Sequence, residues 1–176
     1  MNLFNKEVTL EKVKLASPVS IELTYDPKIN IHIDKQFGFF LQNIDSTYVH
    51  TIREQLIQEL ATANIHVTES KSAIRLRIDE IILIEKNEEG TDSDCESTME
   101  VDVELYMKGY IYKTTDSNPK LIEADIGTTT TTGLSLFSIL FNDSDFDVQK
   151  NNTFEEGIAE KNLITLFVKK CVKNIH

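Results

Sequence analysis

From residue 98 to residue 111 apolar and polar side chains alternate. Met99, Val101, Val103, Leu105 and Met107 fall on one side, and Glu100, Asp102, Glu104 and Lys108 on the other. Period-two alternation over that length predicts a long strand with one buried and one wet face. The earlier run 73–85 puts Ile74, Leu76 and Ile78 on one face and Arg75 and Arg77 on the other. Its phase then shifts at Ile81-Ile82-Leu83-Ile84, which predicts either cover on both faces or a bulge. Joining these strands through the polar run 86–97 brings Arg75 and Arg77 to the same wet face as Glu100, Asp102 and Glu104. Cross-strand charge pairs of that kind contribute about 0.2–1 kcal/mol each, enough to favour a register. A third strand is expected over 121–132, after the turn Asp116-Ser117-Asn118-Pro119.

Before this meander the pattern is shorter-ranged. Val8, Leu10, Val13 and Leu15 suggest a strand with a bulge at Glu11-Lys12, and Val19, Ile21 and Leu23 another. Tyr25-Asp26-Pro27-Lys28 reads as a turn, because proline fixes φ and removes a donor, and it leads to Ile29, Ile31 and Ile33, then Phe37, Phe39 and Leu41. The period then changes. Val49, Ile52, Leu56 and Leu60 recur every three or four residues, widened by Tyr48, Ile57 and Ala61, with Asp45, Ser46 or Thr47 available as N-cap. Ile65 and Val67 start a short strand. A closing helix begins at Thr153, where Thr153-Phe154-Glu155-Glu156 matches a capping box, and its apolar side holds Phe154, Ile158, Leu163, Leu166, Phe167 and Cys171.

The resulting order is strands, helix, short strand, long meander, helix. It predicts an α+β fold in which a curved antiparallel sheet carries two helices packed on one face. The divisions are N-terminal strands over 1–44, a helix over 45–63, the β-meander over 64–132, an apolar flap and acidic loop over 133–152, and the C-terminal helix over 153–174. One domain is expected for 176 residues.

Composition changes this picture little. The chain is 40% hydrophobic and 27% charged, as soluble globular proteins are, and its net charge is −11 without a basic patch, which argues against nucleic acid as a ligand. Cys95 and Cys171 make no CxxC and neighbour no paired histidines, so neither zinc nor a disulfide follows from the spacing. The apolar stretch 134–141, interrupted by Ser135 and Ser138, is too short to span a bilayer.

Candidate chemistry is sparse. Asp143, Asp145 and Asp147 give a weak calcium candidate; an EF-hand starting at Asp143 would need glycine and glutamate where Val148 and Phe154 stand. His32, His50, His66 and His176 are dispersed, and no nucleophile elbow, P-loop or dinucleotide glycine pattern occurs. No catalytic residue and no cofactor is therefore expected, and the chain is not expected to be an enzyme. The segment from Gly127 to Phe141 is the oddest: five threonines suited to an edge strand, then an apolar run. Two readings stand beside each other, a run tucked over the sheet as core and an exposed flap that docks a partner, another subunit or a lipid.

The order of elements over about 37–174 resembles the small envelope lipoproteins of Gram-negative bacteria, and most of all the lipopolysaccharide-assembly lipoprotein family. The residues that carry the likeness are the helix run Ile52-Arg53-Glu54-Gln55-Leu56-Ile57-Gln58-Glu59-Leu60, the strand Ile65-His66-Val67, and Ser72-Ala73-Ile74-Arg75-Leu76-Arg77-Ile78. The lipidated cysteine of that family is absent from this sequence, and the first thirty-five residues and residues 133–141 depart from its layout. The resemblance implies a non-catalytic binding or assembly factor of the cell envelope, supporting outer-membrane assembly or transport by docking to a partner protein. The expected partner-binding residues are Leu134, Leu136, Phe137, Ile139, Leu140, Phe141, Arg75 and Arg77. The partner is expected to be an envelope protein, a lipid or glycolipid, or a second copy of the chain, without nucleic acid. The expected place is the periplasmic face of the outer membrane if a leader precedes Met1, and the cytoplasm otherwise. The alternative is a cytoplasmic acidic inhibitor or immunity-type protein using Glu100, Asp102 and Glu104 against a basic target; a small hydrolase comes third.

Overall fold

The computed structural model describes residues 13–34, 41, 44, 46–91, 97–134 and 157–175. Strand β1 (Val19–Asp34) is followed by helix α1 (Ser46–Thr62), β2 (Ile65–Thr68), β3 (Ile74–Thr91), β4 (Ser97–Lys113), β5 (Lys120–Leu134) and helix α2 (Ile158–Ile175). The strands form one sheet in the order β2-β1-β3-β4-β5. The α+β class with two helices holds.

The meander β3-β4-β5 is antiparallel throughout, as the alternation predicts. The sheet as a whole is not: β1 lies parallel to both β2 and β3, so the sheet is mixed. The cause is the path of the chain. After β1 the chain crosses through α1 and returns in β1's own direction, and a strand returning by a helical crossover pairs in parallel. β2 accompanies β1 only from Val19 to Glu22. The chain then passes to the other side of β1, where β3 begins its pairing with Arg75 against Glu22. Glu22 thus stands between Thr68 on one side and Arg75 on the other. The passage is tied by the Ser72 hydroxyl, which donates to the Ser20 carbonyl at 2.7 Å.

Two further expectations change. Asp26-Pro27 does not turn the chain. β1 runs on from Val19 to Asp34, and its register against β3 shifts between Tyr25 and Lys28. Proline is tolerated where a strand edge or bulge needs no N–H, and both conditions meet here. Val13, Lys14 and Leu15 are not a strand; Leu15 instead caps the C-terminal end of α1, its N–H donating to the Ala63 carbonyl at 3.0 Å. Asn64 makes that junction. It adopts a left-handed φ of 62°, its side-chain amide donates to the Leu15 carbonyl at 2.7 Å, and its own carbonyl accepts from Val19 at 2.9 Å. Asparagine is among the few side chains that tolerate this conformation.

One face of the sheet meets both helices. Leu76, Ile78, Ile81 and Leu83 of β3, Val101, Val103, Leu105, Met107 and Ile111 of β4, and Ile122 and Ala124 of β5 are buried there. α1 contributes Ile52, Leu56 and Leu60, whereas Ala61 is exposed. α2 contributes Leu163, Phe167 and Cys171 as expected, and also Ala159, Ile164, Val168 and Val172. The phase change at Ile81 is a bulge, with the register shifting between Ile78 and Glu80. Opposite the shift stands Gly109, and Phe167 packs against it: a Cβ there would lie 3.1 Å from the Phe167 ring and 2.5 Å from the Arg77 carbonyl. The capping box at 153–156 and the strand expected over 8–10 lie outside the described residues.

Candidate binding face

The other face of the sheet carries neither helix. Its rows come from the polar half of each alternation: Arg75, Arg77, Ile82 and Ile84 on β3, and Asp102, Glu104, Tyr106, Lys108, Tyr110 and Tyr112 on β4. All are exposed or half-buried.

Register decides which of them meet. Residues 86–97 are not simply a loop, because β3 and β4 stay paired as far as Thr91 and Ser97 and leave only residues 92–96 as connection. A paired run made of polar residues shows no apolar alternation, so in sequence it reads like a loop. The longer ladder slides the arginines away from the acidic row. Arg75 stands opposite Tyr112 and Arg77 opposite Tyr110, while Asp102 and Glu104 stand opposite Lys86 and Ile84. Arginines and acids do share one face, as expected, but at different ends of it.

At one end, the Arg75 guanidinium lies 4.7 Å from the centre of the Tyr112 ring. That of Arg77 lies 5.5 Å from Tyr110 and 5.4 Å from Tyr112, and the two rings are 6.5 Å apart. Guanidinium over a phenol ring is a favourable cation–π geometry, about 0.5–1 kcal/mol at an exposed site. Arg77 also binds Asp79 through both carboxylate oxygens, at 2.5 and 3.0 Å, and this hydrogen-bonded pairing holds its pKa above the usual range. Next to this cluster Glu22, Ser72, Arg75, Tyr112 and Asp116 border an open groove of about 380 Å³.

At the other end, Glu104 accepts from the Tyr106 hydroxyl at 2.7 Å and from Lys86 at 3.0 Å, and these bonds lower its pKa in that order. Glu104 is therefore already engaged within the chain.

The structure brings together Arg75 and Arg77 of the expected binding residues. Leu134 closes β5 opposite Ser97; its side chain, with Leu136, Phe137, Ile139, Leu140, Phe141 and the calcium candidates Asp143, Asp145 and Asp147, lies outside the described residues. Sequence reasoning missed Tyr110 and Tyr112. Their signal was present, since the polar half of the alternation continues past Lys108 to both tyrosines, but Gly109 interrupts the apolar half and hides it.

No family model matches the chain, and none of the curated proteins matches it. Among solved structures, the chain is similar to a neuraminyllactose-binding hemagglutinin homolog from Helicobacter pylori, at 13% identity and a TM-score of 0.48 over 94% of this chain and 95% of that one. It is similar to the rare lipoprotein B from Shewanella oneidensis, at 10% identity and a TM-score of 0.40 over 85% of this chain and 93% of that one. A third is the minor lipoprotein from Acinetobacter baumannii, at 13% identity and a TM-score of 0.35 over 87% and 92%. Among the described residues no helix is long and apolar enough to cross a membrane.

Proposed function

We propose that this chain is a non-catalytic binding or assembly factor of the bacterial cell envelope, and that it docks a partner protein with the helix-free face of its sheet. The observation that carries the reading is the corner formed by Arg75 and Arg77 over Tyr112 and Tyr110. Arginine and tyrosine are enriched among the side chains that anchor protein interfaces, tyrosine as a large flat ring with few torsions to freeze and arginine as a planar charged fork on a long, flexible stem. Here the stacking fixes the guanidinium groups before any partner arrives, which lowers the ordering cost of binding. The envelope assignment rests on the order of elements and the runs quoted for it above. A single docking corner on a rigid sheet suits a scaffold that holds another protein in place.

The test is capture from the native organism by in-cell crosslinking at position 110, with the fractionated envelope and cytoplasm probed separately. Wild type should capture an envelope protein, and Arg75→Glu with Arg77→Glu should lose it while keeping the circular dichroism spectrum and a cooperative melt, lowered only by the lost ring contacts and the Asp79 pairing. Equal capture by the double variant would remove the corner from the interface, and a partner found only in the cytoplasm would overturn the envelope assignment.

A further inference from the structure

Beyond Glu22, the side of β1 that faces away from β3 has no neighbouring strand among the described residues. Such an edge offers a row of unpaired backbone groups. Two of the exposed large hydrophobic residues sit on it, Ile31 at 39% and Ile33 at 36% exposure. In register they align with Leu83 and Glu85, both fully buried, so they belong to the helix-covered face and yet are open at this margin. Ile31, His32, Ile33, Ile84 and Lys86 border a depression of about 500 Å³ that wraps around the edge.

We infer that this edge pairs with the same edge of a second copy, antiparallel, with Ile31 on the two-fold axis. The pattern of β1 is self-complementary about that residue. Ile31 opposes Ile31, Ile29 opposes Ile33, Asn30 opposes His32 and Lys28 opposes Asp34. The neighbouring strands extend the match, because Lys28 already pairs with Glu80 and Asp34 with Lys86. Across the joined sheets one row then reads Glu80, Lys28, Asp34, Lys86, with the sign of charge alternating at every step. The row on the other face reads Leu83, Ile31, Ile31, Leu83. Cross-strand pairs of opposite charge and of branched apolar residues are the favourable ones.

Other registers lose this. Centring on Asn30 sets Asp26 against Asp34 and Lys28 against His32, two like-charged or weakly matched pairs. Centring on His32 leaves Lys28 unmatched. A slip by one residue sets the helix-covered face of one copy beside the bare face of the other. Pro27, which has no N–H to give, limits the pairing at its upstream end. A two-fold contact uses the same patch on both subunits, as this one does.

The experiment uses the full chain with Cys95→Ser. In sedimentation and light scattering the protein should appear at about twice its 20.1 kDa chain mass, and Ile31→Lys should return it to 20.1 kDa with its circular dichroism unchanged. Because Ile31 is solvent-accessible in the single chain, lysine fits there without disturbing the core. Separately, Ile31→Cys should form an intermolecular disulfide under mild oxidation, whereas Ile33→Cys, which opposes Ile29, should not. A wild-type chain that stays at single-chain mass up to its solubility limit overturns the inference. So does crosslinking of Ile33→Cys as readily as Ile31→Cys, and that comparison decides the register even if Ile31→Lys fails to fold.

Discussion

Tyr48 of α1 donates its hydroxyl to Glu160 of α2 across 3.3 Å, and that bond is a polar seam between the two helices. Glu160 is 5% exposed, and its second carboxylate oxygen has no hydrogen-bond partner among the described residues. Burial raises its pKa above the ordinary 4.5, against the opposing pull of its own backbone N–H and of Tyr48. Burial raises the Tyr48 phenol as well, helped by the Glu160 carboxylate.

The pH dependence of stability follows. With its folded pKa raised, Glu160 takes up its proton more readily in the folded chain than in the unfolded one. Its stabilising contribution is complete below 4.5 and is lost as pH rises through the folded value. Glu160→Gln keeps the shape and removes the charge. Thermal melts of the two proteins should therefore run close together in acid, and the variant should melt progressively higher than wild type as pH approaches neutrality. A difference that stays constant with pH would mean that Glu160 titrates alike in both states.

Gly109→Ala should destabilise the fold by about 1–3 kcal/mol, the usual cost of forcing a methyl group into a filled site. The added carbon would lie 2.5 Å from the Arg77 carbonyl, a backbone atom that cannot step aside without bending β3 at its bulge. Urea unfolding monitored by circular dichroism reads the loss directly. Gly127→Ala serves as the control, because a Cβ there meets only the Glu104 side chain, at 3.9 Å.

The stacked corner has its own measurable energy. In a double-mutant cycle with Arg75→Ala and Tyr112→Ala, the coupling should be about 0.5–1 kcal/mol, favourable and largely independent of the core. A coupling near zero would show that the guanidinium is not held on the ring in solution.

Cys171 is fully buried, and burial pushes its thiol well above the usual pKa. Since the thiolate is the reactive form, alkylating reagents should leave it untouched in the native protein and modify it completely in denaturant. Peptide mass spectrometry of the Cys95→Ser chain distinguishes the two cases, and native labelling of Cys171 would place that part of α2 in local exchange with an open state.

Much of this architecture is legible in the sequence, because alternation and the helical repeat are consequences of which atoms face water. The row Val101, Val103, Leu105 and Met107 and the stripe Ile52, Leu56 and Leu60 are buried as their spacing predicts. What spacing does not encode is the neighbour. Nothing in Val19–Asp34 tells whether its partner runs with it or against it, since that depends on the crossover made by α1 and on the passage of the chain at Ser72. Register was lost for a related reason: the paired runs 86–91 and 97–100 are almost entirely polar in sequence, so their pairing leaves no apolar mark. The arginine–tyrosine corner went unseen because it depends on that register. Leu134 and the apolar run after it, expected as core or as a docking flap beside Arg75 and Arg77, lie outside the described residues apart from the backbone at the end of β5.

The position of β1 between β2 and β3 has a consequence for the order in which the protein can be made. The bond from Ser72 to Ser20 joins positions 52 residues apart, and the partners of the rest of β1 lie farther along still. β3, β4 and β5 meet their partners across short connections, so their pairing is local. The first described strand is thus obliged to wait, with Ile29 and Ile31 uncovered, until the chain as far as Lys86 has followed it. A nascent chain stalled before residue 74 holds β2 beside Val19–Glu22 but no β3 to receive the rest of β1, and that is the interval in which a chaperone would have most to protect.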